Sequence, residues 1–366
     1  MKKALGIAGQ VLVILAITLG LDYALTATLF SDLKHRWEKA DAANLGTYIS
    51  TPWHHDLMPD RTSTRVWGNV LFPWRTDSYG FRTGRCAPGE AEKDRPAIFV
   101  IGDSFVEALG SSYEQSFAGL MACAIRKHGK ALWNLGVASY SPVIYFRKIR
   151  AAAEKLGVQP REIYVFLDLS DIDDEANVYR VWPDDTVHFA NEPVPPDGRS
   201  RNIPYKGPPF DLGRFLLANF ASVHFVYDLF LMSPLSEQLS FGRKRARWSL
   251  DPHLMKAWGQ RGLDSAARNL DRIVEMCRDW QCRMTLVVYP WPDNIAAHDR
   301  DSVQVRYWRD WAALRGVRFI DGFAPFFDEP AESALRQYYI RGDVHFSEAG
   351  NRLVYETVKK AVGDDW

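Results

Sequence analysis

An α/β fold with a parallel sheet between helix layers is what this sequence predicts, on three observations. From Pro96 onward, short apolar runs alternate with segments of helical period. The runs are almost continuously hydrophobic, as in strands covered on both faces. The first of them, Ala97 to Ile101, stops at Gly102-Asp103-Ser104-Phe105. That places a hydroxyl at the carboxyl edge of the sheet, where open α/β folds build their sites.

The elements follow in order. Ala97 to Ile101 is the first strand, and Phe117, Leu120, Met121, Ala124 and Ile125 recur at helical spacing after it. Ala131 to Val137 reads as strand two, Ile144 to Leu156 as a helix and Ile163 to Leu167 as strand three. Leu263 to Trp280 is amphipathic through Leu270, Ile273, Val274 and Cys277, and leads into strand four at Met284 to Tyr289. A helix over Val303 to Leu314, strand five at Val317 to Ile320 and a last helix capped by Ser347 and ending near Val362 complete the pattern.

Strand three and its helix are separated by an insertion, about 173–262, far longer than the roughly 2 to 6 residues of an ordinary βα loop. Pro193 to Pro209 reads as an extended surface segment, and Phe215 to Met232 as a helix that forms a lid or faces a membrane. A loop leaving the carboxyl edge of strand three lies over the site, so the insertion is assigned to substrate or partner recognition. The short basic cluster Arg243 to Arg247 reads as a solvated loop.

At 366 residues and 47% hydrophobic content the chain can bury a full core, and its zero formal net charge offers no nucleic-acid footprint. Ala4 to Leu21 carries no charged side chain, and apolar character continues to Phe30. Eighteen helical residues reach about 27 Å, close to the roughly 30 Å of a hydrocarbon core. Small residues do not sit where a signal-peptide cleavage site needs them, so an uncleaved anchor over 1–30 is expected. Lys2 and Lys3 bias the N-terminus to the cytoplasm, a bias that Lys34 and Arg36 weaken, and the remainder would face the periplasm or the exterior. Residues 31–95 read as a stalk and cap, with His54, His55 and Asp56 in surface or capping roles rather than on a metal. The main domain is 96–366. Cys86, Cys123, Cys277 and Cys282 are too few for a disulfide framework; Cys277 and Cys282 either pair or remain buried thiols.

Ser104 is a poor nucleophile alone; it needs an imidazole to take its proton and a carboxylate to orient that imidazole. Gly342-Asp343-Val344-His345-Phe346 supplies both, and His345 is the one histidine of nine in a motif with a carboxylate partner and a following helix. Asp103 reads as structural, satisfying N–H groups behind the nucleophile. The acidic run Asp168, Asp171, Asp173, Asp174 and Glu175 matches no calcium-loop spacing and reads as turn and cap residues. Tyr289-Pro290-Trp291-Pro292 follows strand four, and Trp291 is the candidate aromatic wall for substrate. No metal or cofactor is called for.

The blocks Ile101 to Glu107, Asn134 to Ser139, Asp168 to Asp171 and Asp343 to His345, with the lead-in Thr76 to Arg82, resemble the SGNH (GDSL-like) hydrolase family over roughly Arg75 to the C-terminus. The resemblance implies a five-stranded, three-layer α/β/α fold of flavodoxin-like kind. It also implies Ser104, Asp343 and His345 as catalytic residues. The oxyanion hole would be built from the N–H groups of Ser104 and Ser139 and the hydroxyl of Ser170, which stands where the family has asparagine. The tight Asp-x-His is similar to that of anchored members that partner membrane-bound O-acyltransferases. The expected function is a membrane-anchored serine esterase or O-acyltransferase acting outside the cytoplasm on acetyl esters of an exported polysaccharide. Such a protein has the lipid bilayer and a membrane-bound O-acyltransferase as partners. The rival expectation is a non-catalytic glycan-binding or assembly protein of the same fold.

Overall fold

The computed structural model describes residues 2–31, 47–67, 70–193, 212–233, 235 and 243–363. Strands β1 (Tyr48–Thr51) and β2 (His54–Leu57), then β3 (Thr62–Trp67) and β4 (Val70–Arg75), form two antiparallel hairpins ahead of the main domain. The central sheet holds β5 (Ala97–Ile101), β6 (Ala131–Asn134), β7 (Glu162–Leu167), β10 (Arg283–Val288) and β11 (Arg318–Asp321), all parallel, in the order β11-β10-β7-β5-β6. Between β7 and β10 the short hairpin β8 (Tyr179–Val181) and β9 (Val187–Phe189) belongs to the insertion.

Every residue of β5, β6 and β7 is buried, as continuous apolar runs between helix layers require. Helices Pro142–Leu156 and Gln260–Trp280 pack together, and Phe117–Lys127 packs with Glu348–Val362, giving the three-layer α/β/α sandwich. Starting from β5 in chain order, the sheet runs 2-1-3-4-5, and its topological switch falls between β5 and β7. Ser104 comes three residues after the end of β5, so the nucleophile candidate stands where such sheets open a crevice.

Several expectations need correction. Strand two stops at Asn134 instead of Val137 because the Asn134 side chain bonds locally, accepting from Gly136 N at 2.9 Å and donating to Val106 O at 2.8 Å. The helix expected over Phe215 to Met232 is two helices, Leu212–Asn219 and Ala221–Met232, broken at Phe220, whose backbone is extended. Most of the proline-rich stretch lies outside the described residues. The basic cluster is no solvated loop: Lys244–Arg247 is helical, Ala246 is buried, and Arg245 pairs with Asp174 at 2.7 Å. His55 and Asp56 are interior, not surface, and Asp56 receives Lys148 Nζ at 2.6 Å. All four cysteines are paired, Cys86–Cys123 and Cys277–Cys282. The first closes a loop spanning 37 residues, worth about 3–4 kcal/mol by chain entropy.

The helix Lys2–Thr28 includes Gly9–Thr28, long and apolar enough to cross a bilayer and almost wholly exposed. It is the one such helix among the described residues.

Candidate active site

The turn from β5 into the helix Ser104–Glu107 builds the site from local rules. Gly102 is required by close approach, since a Cβ there would lie 2.4 Å from Val106 Cγ2 and 2.8 Å from Phe166 O. Asp103 is the N-cap and accepts from Phe105 N at 3.0 Å. Ser104 is therefore the first helical residue, and its N–H has no intrahelical partner. The loop after β6 runs alongside, with Val137 N donating to Gly102 O at 3.3 Å. It presents Ser139 exposed at φ 60°.

His345 arrives from the segment between β11 and the last helix, its position fixed by Ile340 N donating to His345 O at 2.9 Å and by the Tyr339–Phe346 bridge. Its Nε2 lies 2.9 Å from Ser104 Oγ and its Nδ1 bonds Asp343 Oδ1. The three catalytic candidates thus meet with the connectivity of a serine triad. Burial opposes ionisation of Asp343, but the His345 ring and backbone N–H beside it hold the carboxyl well below the usual carboxylate range. The Trp67 indole Nε1 reaches the same junction, 3.1 Å from His345 Nδ1. Because Nδ1 must carry the proton it gives to Asp343, the indole N–H serves the Asp343 carboxylate instead. Trp67 comes from the cap hairpin β3–β4, so the cap completes the site.

Ser104 Oγ also lies 3.1 Å from Asp103 Oδ2. Asp103, Asp168 and Asp171 are all buried, their ligand-type oxygens within 4.8 Å of one another. Burial first, and then the Asp168 charge, push the Asp103 carboxyl well up, and burial with Asp168 and Asp103 does the same to Asp171.

Ser170 does not offer a third oxyanion donor. Its N–H and its hydroxyl both donate to Asp168 Oδ1, at 2.7 and 2.8 Å, and the residue is buried. Trp291 is likewise no open wall: it is 3% exposed and its indole donates to Asp168 Oδ2 at 2.8 Å. Both side chains are drawn inward by the carboxylate of Asp168.

Sequence reasoning missed Glu107. Its Oε1 accepts from Arg65 at 2.9 Å and Trp74 Nε1 at 3.1 Å, and its Oε2 accepts from Ala138 N at 2.7 Å and Tyr48 OH at 3.2 Å. One buried carboxylate, three residues after the nucleophile, thereby ties both cap hairpins to the loop carrying Ser139. Its signal was an acidic residue inside the apolar turn Phe105-Val106-Glu107-Ala108; Trp67 carried no such signal.

No family model matches this chain, and no curated protein matches it. Among solved structures it is similar to TesA, with TM-score 0.40 and 13% identity over 73% of this chain and 98% of that one. It is similar to a G-D-S-L family lipolytic protein from Veillonella parvula, with TM-score 0.39 and 13% identity over 72% of this chain and 96% of that one. A catalytic mutant of an acetylxylan esterase from Geobacillus stearothermophilus gives TM-score 0.39 and 13% identity over 73% of this chain and 94% of that one.

Proposed function

We propose that this protein is an SGNH-type serine acyl esterase or O-acyltransferase, membrane-anchored and acting outside the cytoplasm on an acylated carbohydrate. The observation that carries the reading is the Ser104–His345–Asp343 chain of contacts at the carboxyl edge of β5. His345 takes the Ser104 proton as Oγ attacks an acyl carbonyl, Asp343 stabilises the imidazolium, and the N–H groups of Ser104 and Ser139 receive the oxyanion. The first alcohol leaves with the proton from His345, giving an acyl-serine. Water or a second hydroxyl then attacks, its proton going to His345, and Ser104 is regenerated.

Two features support the location. The paired cysteines suit an oxidising compartment. The apolar N-terminal helix lies close to the site through the insertion: Ala221 N donates to Thr26 Oγ1 at 2.7 Å, Ser222 N to Asp22 Oδ1 at 3.3 Å, and Ala218 packs with Val66, one residue before Trp67. A site so near the end of an anchor suits receipt of an acyl group from a membrane-bound O-acyltransferase.

The test supplies the full chain in nanodiscs with an acetyl ester donor and a polysaccharide acceptor, and measures free acetate against acetylated polysaccharide. Acetylated product in excess supports transfer, acetate alone supports the esterase, and turnover of neither ester nor acceptor rejects the reading.

A further inference from the structure

His54 adopts φ 94°, a positive value that only a few per cent of residues other than glycine take. Such strain persists only where the surroundings fix it, and it concentrates at functional positions. The His54 ring meets Tyr179 edge-on at 5.1 Å and Phe189 at 4.3 Å, while those two rings lie parallel, 6.0 Å apart at 11°. Together with His55, Ser139 and Arg245 they line a cavity of about 360 Å³ between the cap hairpin and the insertion.

The hydrogen bonds dictate what His54 presents. The Ala138 carbonyl can only accept, so His55 Nε2, 2.9 Å away, carries a proton and donates it. Burial holds His55 neutral, so its Nδ1 is a bare acceptor. His54 Nδ1 lies 2.7 Å from that atom and must donate to it. Burial and the neighbouring imidazoles push the His54 value down to about 3, so this ring is neutral too. Its remaining nitrogen, Nε2, therefore holds a lone pair.

The rest of the cavity favours an uncharged occupant. Arg245, its cation, is matched by Asp174 at 2.7 Å and Asp173 at 3.6 Å. The exposed Phe189 ring beside the His54 acceptor suits a sugar ring, which has an apolar face and a polar edge. The wall is tied to the site, because Tyr179 OH donates to Ser139 O at 2.6 Å.

We propose that this cavity is a saccharide subsite in which His54 Nε2 accepts a hydrogen bond from a ring hydroxyl and holds a neutral sugar against the loop carrying Ser139. The role of that sugar as acyl acceptor or donor rests on the serine chemistry proposed above; the binding itself does not.

The test therefore uses the full-length Ser104→Ala chain in nanodiscs, titrated by calorimetry with methyl xyloside, methyl glucoside and methyl mannoside, alongside nitrogen NMR of labelled histidines. At least one glycoside should bind. His54 should show an unprotonated Nε2 whose signal moves on binding, and His54→Phe and Phe189→Ala should each weaken binding by about tenfold or more. No binding of any glycoside, unaltered binding in both variants, or a proton on His54 Nε2 overturns the subsite. Each of these leaves the serine chemistry standing, and loss of acylation at Ser104 leaves the subsite standing.

Discussion

The sheet edge and the roof above it share one apolar core, and the roof adds polar ties of its own. At the edge, β5 and β7 place Ser104 and Asp168 through apolar runs buried residue by residue. In the roof, the cap hairpins and the insertion pack Leu57, Phe72, Trp74, Tyr179 and Trp248 into that same core and add a few polar contacts over long sequence separations: Glu107 with Arg65, Trp67 with the Asp343–His345 pair, Trp248 with the Leu169 carbonyl. Apolar burial is distributed and forgiving, whereas a buried ion pair fails when either member is lost. The edge should therefore govern whether chemistry occurs, and the roof what is held while it does.

The largest expected effect lies at the edge. Ser104→Ala should lower ester turnover by about 10⁴-fold or more with the melting temperature unchanged, because only binding and the oxyanion donors remain. Next comes the joint between edge and roof: Glu107→Ala leaves Arg65 buried without its carboxylate and should cost about 3–5 kcal/mol in denaturant unfolding. Comparable stability of this variant and wild type would show the roof to be independent of the edge.

These two sites also mark what was legible in the sequence. The five strands of the sheet and the meeting of Ser104, Asp343 and His345 could be read, because buried strands leave contiguous apolar runs and those three residues sit in short motifs. The cap hairpins could not. β1 and β2 have only four residues each, and β4 contains Pro73, so neither hairpin shows a clean alternation. Nor could the inward turn of Ser170 and Trp291, which depends on Asp168, a carboxylate whose partners lie on two strands' loops.

Smaller effects sharpen the contrast. Trp67→Phe keeps an aromatic ring but removes the N–H donated to Asp343, and should lower turnover by about tenfold. Ser170→Ala should lower it by less than about threefold, against the roughly 100-fold of a true oxyanion donor, since its hydroxyl is bound to Asp168. The buried carboxyls behind Ser104 add a pH signature. Burial and Asp168 raise Asp171 above its unfolded value. Its contribution is therefore complete below about pH 4 and is lost as pH climbs through the folded value. Asp171→Asn should accordingly lose less thermal stability than wild type as pH rises above about 4.

The central claim, that Ser104 carries an acyl group during turnover, is tested most directly by mass spectrometry of the full-length protein quenched after mixing with an activated acetyl ester. One acetyl group on the peptide containing Ser104, absent from Ser104→Ala and slow to form in His345→Ala, is the predicted result. Turnover of the ester with no acetyl on Ser104, or equal labelling of the Ser104→Ala chain, would contradict it.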